Sequence, residues 1–149
     1  MDTQAFEAAV LAGLDGVSYG DIILAAVSGG ADSTALLAAL FSLQPKFSYK
    51  LNVLHVNHNL RGEESARDAA AVEMLCKQFS LPCRIETIPE GNIICYAKEA
   101  GCGIEAAARH VRHTALLNEA TRLGACTVAT AHTKTDLLET FIMRLLRGS

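Results

Sequence analysis

The sequence predicts an α/β fold class with an open, doubly wound parallel sheet. Short apolar runs rich in β-branched residues alternate with longer segments in which apolar residues recur every three or four positions. A Gly/Ser-rich segment directly follows the first of these runs, where sheets of this class bind ligands. Alternating strands and helices favour parallel strands with right-handed crossovers. A chain of 149 residues, half of them apolar, suffices for one such domain.

The amino-terminal third predicts two helices around a buried strand. Residues 3–14 carry apolar side chains at helical spacing and predict a leading helix. Residues 22–27 form a continuous apolar run, which indicates a strand buried on both faces. Residues 28–30, Ser-Gly-Gly, end that run. Residues 32–43 are apolar on nearly all sides, as expected of a helix packed deep inside the protein.

The middle of the chain repeats the same alternation. Residues 51–56 predict a second strand. Residues 63–79 predict an amphipathic helix, because apolar positions recur there at i, i+3, i+4 and i+7. A third, short strand is predicted over residues 84–88, entered through Leu81-Pro82.

The last third predicts a connection followed by two more helices and a strand. Residues 89–103 predict irregular structure, because four Gly or Asn residues punctuate them. Residues 104–123 predict a long helix, residues 127–131 a fourth strand, and residues 134–146 a final helix. With no further strand in the chain, we expect the fourth strand to present an unpaired edge, where a second copy could pair to form a homodimer.

Composition and charge narrow the function classes. Thirteen Lys+Arg against sixteen Asp+Glu give a net charge of −3, which is no electrostatic footprint for nucleic acid on average, although a local basic face stays possible. No apolar run reaches membrane-spanning length, and residues 1–20 show no secretory signal. The five cysteines form no CxxC pair, so we expect free thiols in a reducing cytosol and a cytoplasmic protein.

The sharpest chemical signal is residues 28–34, Ser-Gly-Gly-Ala-Asp-Ser-Thr. Two glycines allow a tight turn that aims successive N–H groups at one anion, and a helix begins there with its positive end facing the same point. Ser28, Ser33 and Thr34 add hydroxyl groups suited to phosphate oxygens. Asp32 fits a phosphate cradle when a divalent cation bridges it. No lysine lies in the segment, so it is not a Walker loop.

This segment resembles the PP-loop of the N-type ATP pyrophosphatases, which cleave ATP to AMP and pyrophosphate. Further segments extend the resemblance over residues 21–149, and together they resemble the tRNA(Ile)-lysidine synthetases (synthases). The resemblance implies a Rossmann-like PP-loop ATPase fold of the adenine nucleotide α-hydrolase type. The segments that carry it are His-Val-Asn-His-Asn-Leu-Arg-Gly-Glu-Glu-Ser at 55–65, Gly-Ile-Glu-Ala-Ala-Ala-Arg at 103–109, Ala-His-Thr-Lys-Thr-Asp-Leu-Leu-Glu-Thr-Phe at 131–141 and Arg-Leu-Leu-Arg-Gly-Ser at 144–149.

The same resemblance implies the site residues. Catalytic roles fall on Asp32, Arg109 and Asp136, and Mg²⁺ would be held by Asp32 and Asp136. Arg109 would contact phosphate, whereas Arg112, three residues on, is interpreted as part of a solvated face. Arg144 and Arg147 form either a surface pair or tRNA contacts. The implied ATP contacts are Ser28, Gly29, Gly30, Ala31, Asp32, Ser33, Thr34, His55, Val56, His58 and His132.

The implied activity is conversion of the wobble cytidine of a CAU anticodon in tRNA(Ile) to lysidine, with ATP, Mg²⁺ and free L-lysine. Residues 1–149 would then be an N-terminal PP-loop ATP pyrophosphatase domain whose last strand and C-terminal domains are missing. Two alternatives stay open: a non-catalytic ATP-binding module, favoured by the altered His-Thr-Lys-Thr-Asp segment at 132–136, and another PP-loop tRNA modifier, such as a cytidine thiolase. The thiolase would need CxxC pairs, which are absent.

Overall fold

A single five-stranded sheet forms the centre of the protein. The computed structural model describes the backbone of residues 3–134 and 137–144 and the side chains of residues 4–131. The spatial order of the strands is β3-β2-β1-β4-β5, with the first four parallel and β5 antiparallel. Their bounds are β1 (Ile22–Ala26), β2 (Lys50–Asn57), β3 (Cys83–Thr87), β4 (Thr127–Lys134) and β5 (Leu137–Arg144).

Helices cover both faces of this sheet, which confirms the predicted doubly wound α/β architecture. The predicted helices at the start of the chain, after the first two strands and before the fourth strand are all present. None of the described helices is both long and apolar enough to cross a membrane. The helix bounds are α1 (Thr3–Gly13), α2 (Ala31–Phe47), α3 (Glu63–Gln78), α4 (Asn92–Ala100) and α5 (Ile104–Leu123).

The alternation of side chains along β1 builds two separate cores. Ile23 and Ala25 point to the face packed by α1, α2 and α3, whereas Leu24 points to the opposite face and packs against α5. All three side chains are fully buried. A continuous apolar run is what a strand covered on both sides requires. β1 is therefore the central strand, and the segment that leaves it is anchored in the most buried part of the protein.

One helix was not expected from the sequence. Residues 89–103, predicted to be irregular, contain α4, and the glycines that suggested a loop are its caps. Gly91 precedes α4 with a φ of 83°, and Gly101 follows it with a φ of 66°. Positive φ angles are the normal use of glycine at helix ends. Ile93 and Ala97 of α4 pack against Ala107 of α5 in a small third core.

The prediction of a final helix over residues 134–146 is wrong for the part described. Leu137–Arg144 form β5, which pairs antiparallel with β4 from Lys134↔Leu137 to Thr127↔Arg144. A short apolar segment fits either element by periodicity, and the unpaired N–H and C=O groups of an edge strand favour a partner strand. The expected unpaired edge of β4 is therefore also wrong, since β5 covers it.

The five cysteines are all free, as the sequence predicted. Only Cys76 is fully buried, and Cys95 and Cys102 are exposed. No disulfide contributes to stability, so burial and polar pairing must hold the elements together.

A buried carboxylate connects α5 to β3. The side chain of Glu119 is 5% exposed and accepts hydrogen bonds from Arg122, at 2.6 Å and 2.9 Å, and from Arg84 of β3, at 3.3 Å. The hydrogen bond from Arg122 and the two nearby guanidinium charges lower the pKa of Glu119. The charged donors replace the lost hydration of this buried carboxylate, so removing one partner of the group is costly.

We expect Glu119→Gln to lower the free energy of unfolding by about 1–3 kcal/mol at pH 7, because it removes the charge that both arginines bind. The folded-state pKa is lowered, so the stabilisation is present above the ordinary carboxyl pKa and is lost as the pH falls through the folded-state value. Urea unfolding at pH 7 and at pH 3 measures both effects. The control is Glu63→Gln, whose ion pair with Arg67 is exposed. Equal decreases in the free energy of unfolding for the two variants at pH 7 would contradict the prediction.

Candidate functional site

An open cleft of about 740 Å³ lies where the central parallel strands end. The chain leaves β1 toward β2 and β3 and later returns to β4 on the other side of β1, so the strand order reverses beside β1. Ligands of doubly wound sheets bind at such a reversal, beyond the carboxyl ends of the strands. The ends of β1 and β2, the strand β4 and helices α3 and α5 all contribute to the cleft wall.

Hydrogen bonds within residues 28–33 shape the turn between β1 and α2. Ser33 Oγ donates to the carbonyl oxygen of Gly30 at 3.2 Å and accepts from the backbone N–H of Ser28 at 3.0 Å. Because its proton is used in this way, Ser33 Oγ accepts from Ser28 Oγ, 3.0 Å away. Ser28 Oγ in turn accepts from the N–H of Gly30 at 3.3 Å. These two hydroxyl groups therefore hold the turn in shape.

The first turn of α2 opens onto this segment. Gly30 is the N-cap and supplies no side-chain hydrogen bond. The N–H of Thr34 bonds the carbonyl oxygen of Gly30 at 3.1 Å, which is the first bond of the helix. The N–H groups before it have no intrahelical acceptor, as at every helix start. The positive end of α2 is thus available to an anion bound beside the turn.

Gly29 brings this turn against α3. Its φ is 93°, a left-handed conformation that favours glycine. A Cβ atom at Gly29 would lie 3.4 Å from the Cβ of Asp68 and 3.5 Å from its carbonyl oxygen. Asp68 itself lines the cleft. Spacing along the chain does not single out this carboxylate, because it lies within the helix predicted over residues 63–79.

Two histidines of the second strand region lie in the cleft with different roles. His55 is buried, and its Nδ1 lies 2.7 Å from the carbonyl oxygen of Val27. A carbonyl oxygen only accepts, so Nδ1 carries the proton and Nε2 is the acceptor in the neutral ring. His58 Nε2 is buried with no hydrogen-bond partner among the residues described. Burial, with the neighbouring Arg112 and His55, lowers the pKa of His58.

Helix α5 presents Arg112 to the cleft, although the sequence favoured Arg109. Arg112 lines the cleft and is half-buried, and burial together with the like charge of Arg109 lowers its pKa. Arg109 is exposed and lies outside the cleft lining as described. The interpretation of Arg112 as part of a solvated face is therefore wrong. The two residues are one helical turn apart, and periodicity alone gives them equal weight.

The structure brings some of the predicted site residues together. Ser28, Ser33, His55, Val56 and His58 line the cleft, whereas Gly29, Gly30, Ala31, Asp32 and Thr34 lie in the turn and helix start beside it. Asp32 is half-buried in the first turn of α2. His132 lies in β4, with only its backbone described, and Asp136 is outside the described residues, as is Arg147. Among the side chains described, no three His, Cys, Asp or Glu residues form a cluster that could hold a metal ion.

A sequence profile of the PP-loop domain matches residues 5–149, nearly the whole chain. The chain belongs to the PP-loop domain family. Within this family it is similar to the tRNA(Ile)-lysidine synthase of Caldanaerobacter subterraneus, with 43% identity over 129 residues, or 87% of this chain. It is also similar to the enzyme of that name from Treponema pallidum, with 45% identity over 129 residues and 85% of this chain. The chain spans 27% of the length of each of these curated relatives.

Solved structures show the same PP-loop domain fold. The U34-tRNA thiolase of Methanococcus maripaludis superposes with a TM-score of 0.69 at 16% identity, over 89% of this chain and 45% of that one. The NH3-dependent NAD synthetase of Campylobacter jejuni superposes with a TM-score of 0.60 at 16% identity, over 86% of this chain and 56% of that one. At such identities the likeness establishes the fold of the PP-loop domain and nothing about its substrate.

Proposed function

We propose that this PP-loop domain, residues 1–149, is the ATP-binding catalytic domain of a cytoplasmic tRNA(Ile)-lysidine synthase. The observation that carries the proposal is the 43–45% identity over 129 residues to proteins of that name. The cleft at the strand reversal, with a glycine turn and an open helix start beside it, supplies a matching place for a nucleotide. The substrates would be ATP, L-lysine and tRNA(Ile) with a CAU anticodon.

The turn after β1 would hold the pyrophosphate part of ATP. Gly29 and Gly30 give it the tight curvature, and Ser28 and Ser33 fix that curvature through their hydroxyl groups. The N–H groups at the start of α2, from Ala31 to Ser33, would then face the developing negative charge of the leaving group. Preorganised donors of this kind stabilise a transition state because they need no reorientation during the reaction.

Mg²⁺ would be held by Asp32 and Asp136. The described part of the site fits such an ion, because the Asp32 carboxylate lies in the first turn of α2, directly beside the phosphate-binding turn. Mg²⁺ in nucleotide sites is bound through one or two carboxylates, phosphate oxygens and water, so a dedicated cluster of protein ligands is unnecessary. The ion supplies charge neutralisation at the phosphates.

The reaction would proceed in two displacements. The C2 oxygen of the wobble cytidine attacks the α-phosphorus of ATP, the bond to the β-phosphate breaks, and pyrophosphate leaves with the electron pair. The ε-amine of lysine then attacks C2, and AMP leaves with the C2 oxygen, which gives lysidine after loss of an amine proton. His55, Val56, His58 and His132 would border the nucleotide. Positive charges beside the phosphate groups that leave would stabilise both transition states and so lower the barriers of both displacements.

Titration calorimetry of ATP into the protein tests the nucleotide site. We expect saturable binding that is at least tenfold weaker when EDTA replaces Mg²⁺, because the carboxylate of Asp32 repels a phosphate without a bridging cation. Mass spectrometry of digested tRNA then reports lysidine, with a transcript carrying a GAU anticodon as control. ATP binding without AMP or lysidine formation would indicate the non-catalytic module. Absence of ATP binding would contradict the proposal altogether.

A further inference from the structure

The guanidinium of Arg112 lies in the cleft and has no carboxylate partner in the part of the chain described. Among the residues whose side chains are described, one other arginine, Arg61, lines the cleft, and it is ion-paired with Glu64 at 3.4 Å. No hydrogen bond or ion pair among the described residues holds the Arg112 guanidinium, although it is half-buried. A guanidinium that has lost part of its hydration without gaining an acceptor is costly, and a bound anion would remove that cost.

His58 supplies a second unsatisfied group next to this cation. Its Nε2 is buried and has no partner among the described residues, and both His58 and Arg112 line the cleft. The positive charge of Arg112 also lowers the pKa of His58. A buried ring nitrogen without a partner requires an explanation, such as a ligand that supplies one. A neutral imidazole with its proton on Nε2 would donate to the same oxyanion that Arg112 binds.

We propose that Arg112 and His58 together bind the phosphate that is joined to the sugar of the nucleotide, while the turn after β1 binds the pyrophosphate part. This inference rests on the proposed function. The two anion sites are on different elements, because one is the β1–α2 turn and the other lies between the end of β2 and α5. His55 lies between them, hydrogen-bonded to Val27 at the start of the turn. The pair would thus keep its hold on AMP after pyrophosphate leaves.

The test compares four ligands, ATP, AMP, adenosine and inorganic pyrophosphate, by titration calorimetry with Mg²⁺. We expect Arg112→Gln and His58→Gln each to weaken the binding of ATP and of AMP about tenfold, because each variant loses one charge-assisted hydrogen bond to the phosphate. Adenosine and pyrophosphate should bind as they do to the unsubstituted protein. The double variant should lose less than the product of the single losses, because both residues serve one phosphate. Arg67→Gln is the matched control, since Arg67 is exposed on α3 and outside the cleft lining described.

Each other outcome contradicts the assignment in a different way. Equal affinities of the Arg112→Gln and Arg67→Gln variants for ATP would overturn it and leave the proposed function standing. Weaker pyrophosphate binding, or weaker adenosine binding, would also overturn it, because Arg112 would then serve the leaving group or the nucleoside. If the unsubstituted protein binds no nucleotide, the proposed function and this inference both fail. Thermal unfolding checks that each variant is folded. Arg112→Lys keeps the charge but not the planar pair of donors, so its affinity for ATP should lie between those of the unsubstituted protein and of Arg112→Gln.

Discussion

Replacing Asp32 with Asn is expected to reduce ATP-dependent pyrophosphate release by about a hundredfold or more, since a phosphate-bound cation contributes several kcal/mol to the transition state. Asp32 lies in the first turn of α2, half-buried beside the turn that would hold the pyrophosphate. Asn has the same shape but no charge, so it would hold Mg²⁺ far less well. Pyrophosphate release is measured with full-length protein, tRNA(Ile), L-lysine and ATP.

The Asp32→Asn variant should remain folded. A carboxylate in the first turn of a helix contributes only about 0.3–1 kcal/mol through the helix dipole, and Asn keeps much of the local hydrogen bonding. The control is Asp15→Asn, which removes an exposed carboxylate after α1 that is outside the cleft lining described. Turnover of the Asp32→Asn variant equal to that of the control would remove Asp32 from the mechanism.

Replacing Gly29 with Val is expected to abolish measurable nucleotide binding and to lower the free energy of unfolding by about 2 kcal/mol or more. Two effects add here. A β-branched residue is strained at a φ of 93°, and the valine methyl groups would extend beyond a Cβ position that already lies 3.4 Å from Asp68. The turn would have to move away from α3, and its N–H groups would no longer point to one anion.

Gly20 offers a matched control for this prediction. Its φ is 79°, so Gly20→Val pays a similar backbone cost, but no atom lies within 4 Å of its Cβ position. Urea unfolding of both variants separates the strain from the contact with Asp68, and calorimetry with ATP separates stability from binding. ATP affinity that is the same in both variants would show that the shape of the turn does not govern binding.

The architecture was predictable because a strand buried on both faces of a sheet needs a continuous run of apolar residues, which is visible in the sequence. Residues 22–27 are apolar without alternation, which requires a strand covered on both sides, and α1, α2, α3 and α5 provide that cover. Helices α2, α3 and α5 are 16–20 residues long, long enough for their spacing to be unambiguous. The alternation of strand and helix then leaves few topologies for the sheet.

The errors fall on short segments whose local pattern supports two structures. α4 is nine residues long, and its capping glycines at 91 and 101 look like loop punctuation when read one by one. The segment at 137–144 is apolar enough for a helix, but β4 offers it a row of unpaired backbone groups. That second effect depends on tertiary structure, so no window of sequence contains it.

In the candidate site, too, the features that depend on neighbouring residues in the sequence were predictable, and those that depend on tertiary packing were not. The turn at 28–34 was predictable, because two glycines between a buried strand and a helix can do little else. The choice of Arg112 over Arg109 for the cleft wall, and the contact of Asp68 with Gly29, depend on how α5 and α3 rotate against the sheet. Helical spacing fixes which residues share a face, but the packing of the whole domain decides what that face meets.

The pairing of β1 with both of its neighbours also determines when the cleft is completed during folding. β1 pairs with β2 after a short crossover, but Ile23 meets Thr127 of β4 roughly a hundred residues further along the chain, a contact of high sequence separation that forms slowly. The unit from β1 to β3 can therefore collapse first, while one cleft wall is still absent. We expect the site beside the turn after β1 to be complete only once β4 has docked, because Thr130 and Ala131 of β4 line the cleft. A nucleotide that binds only the complete cleft would then shift the equilibrium toward the state in which β4 is docked.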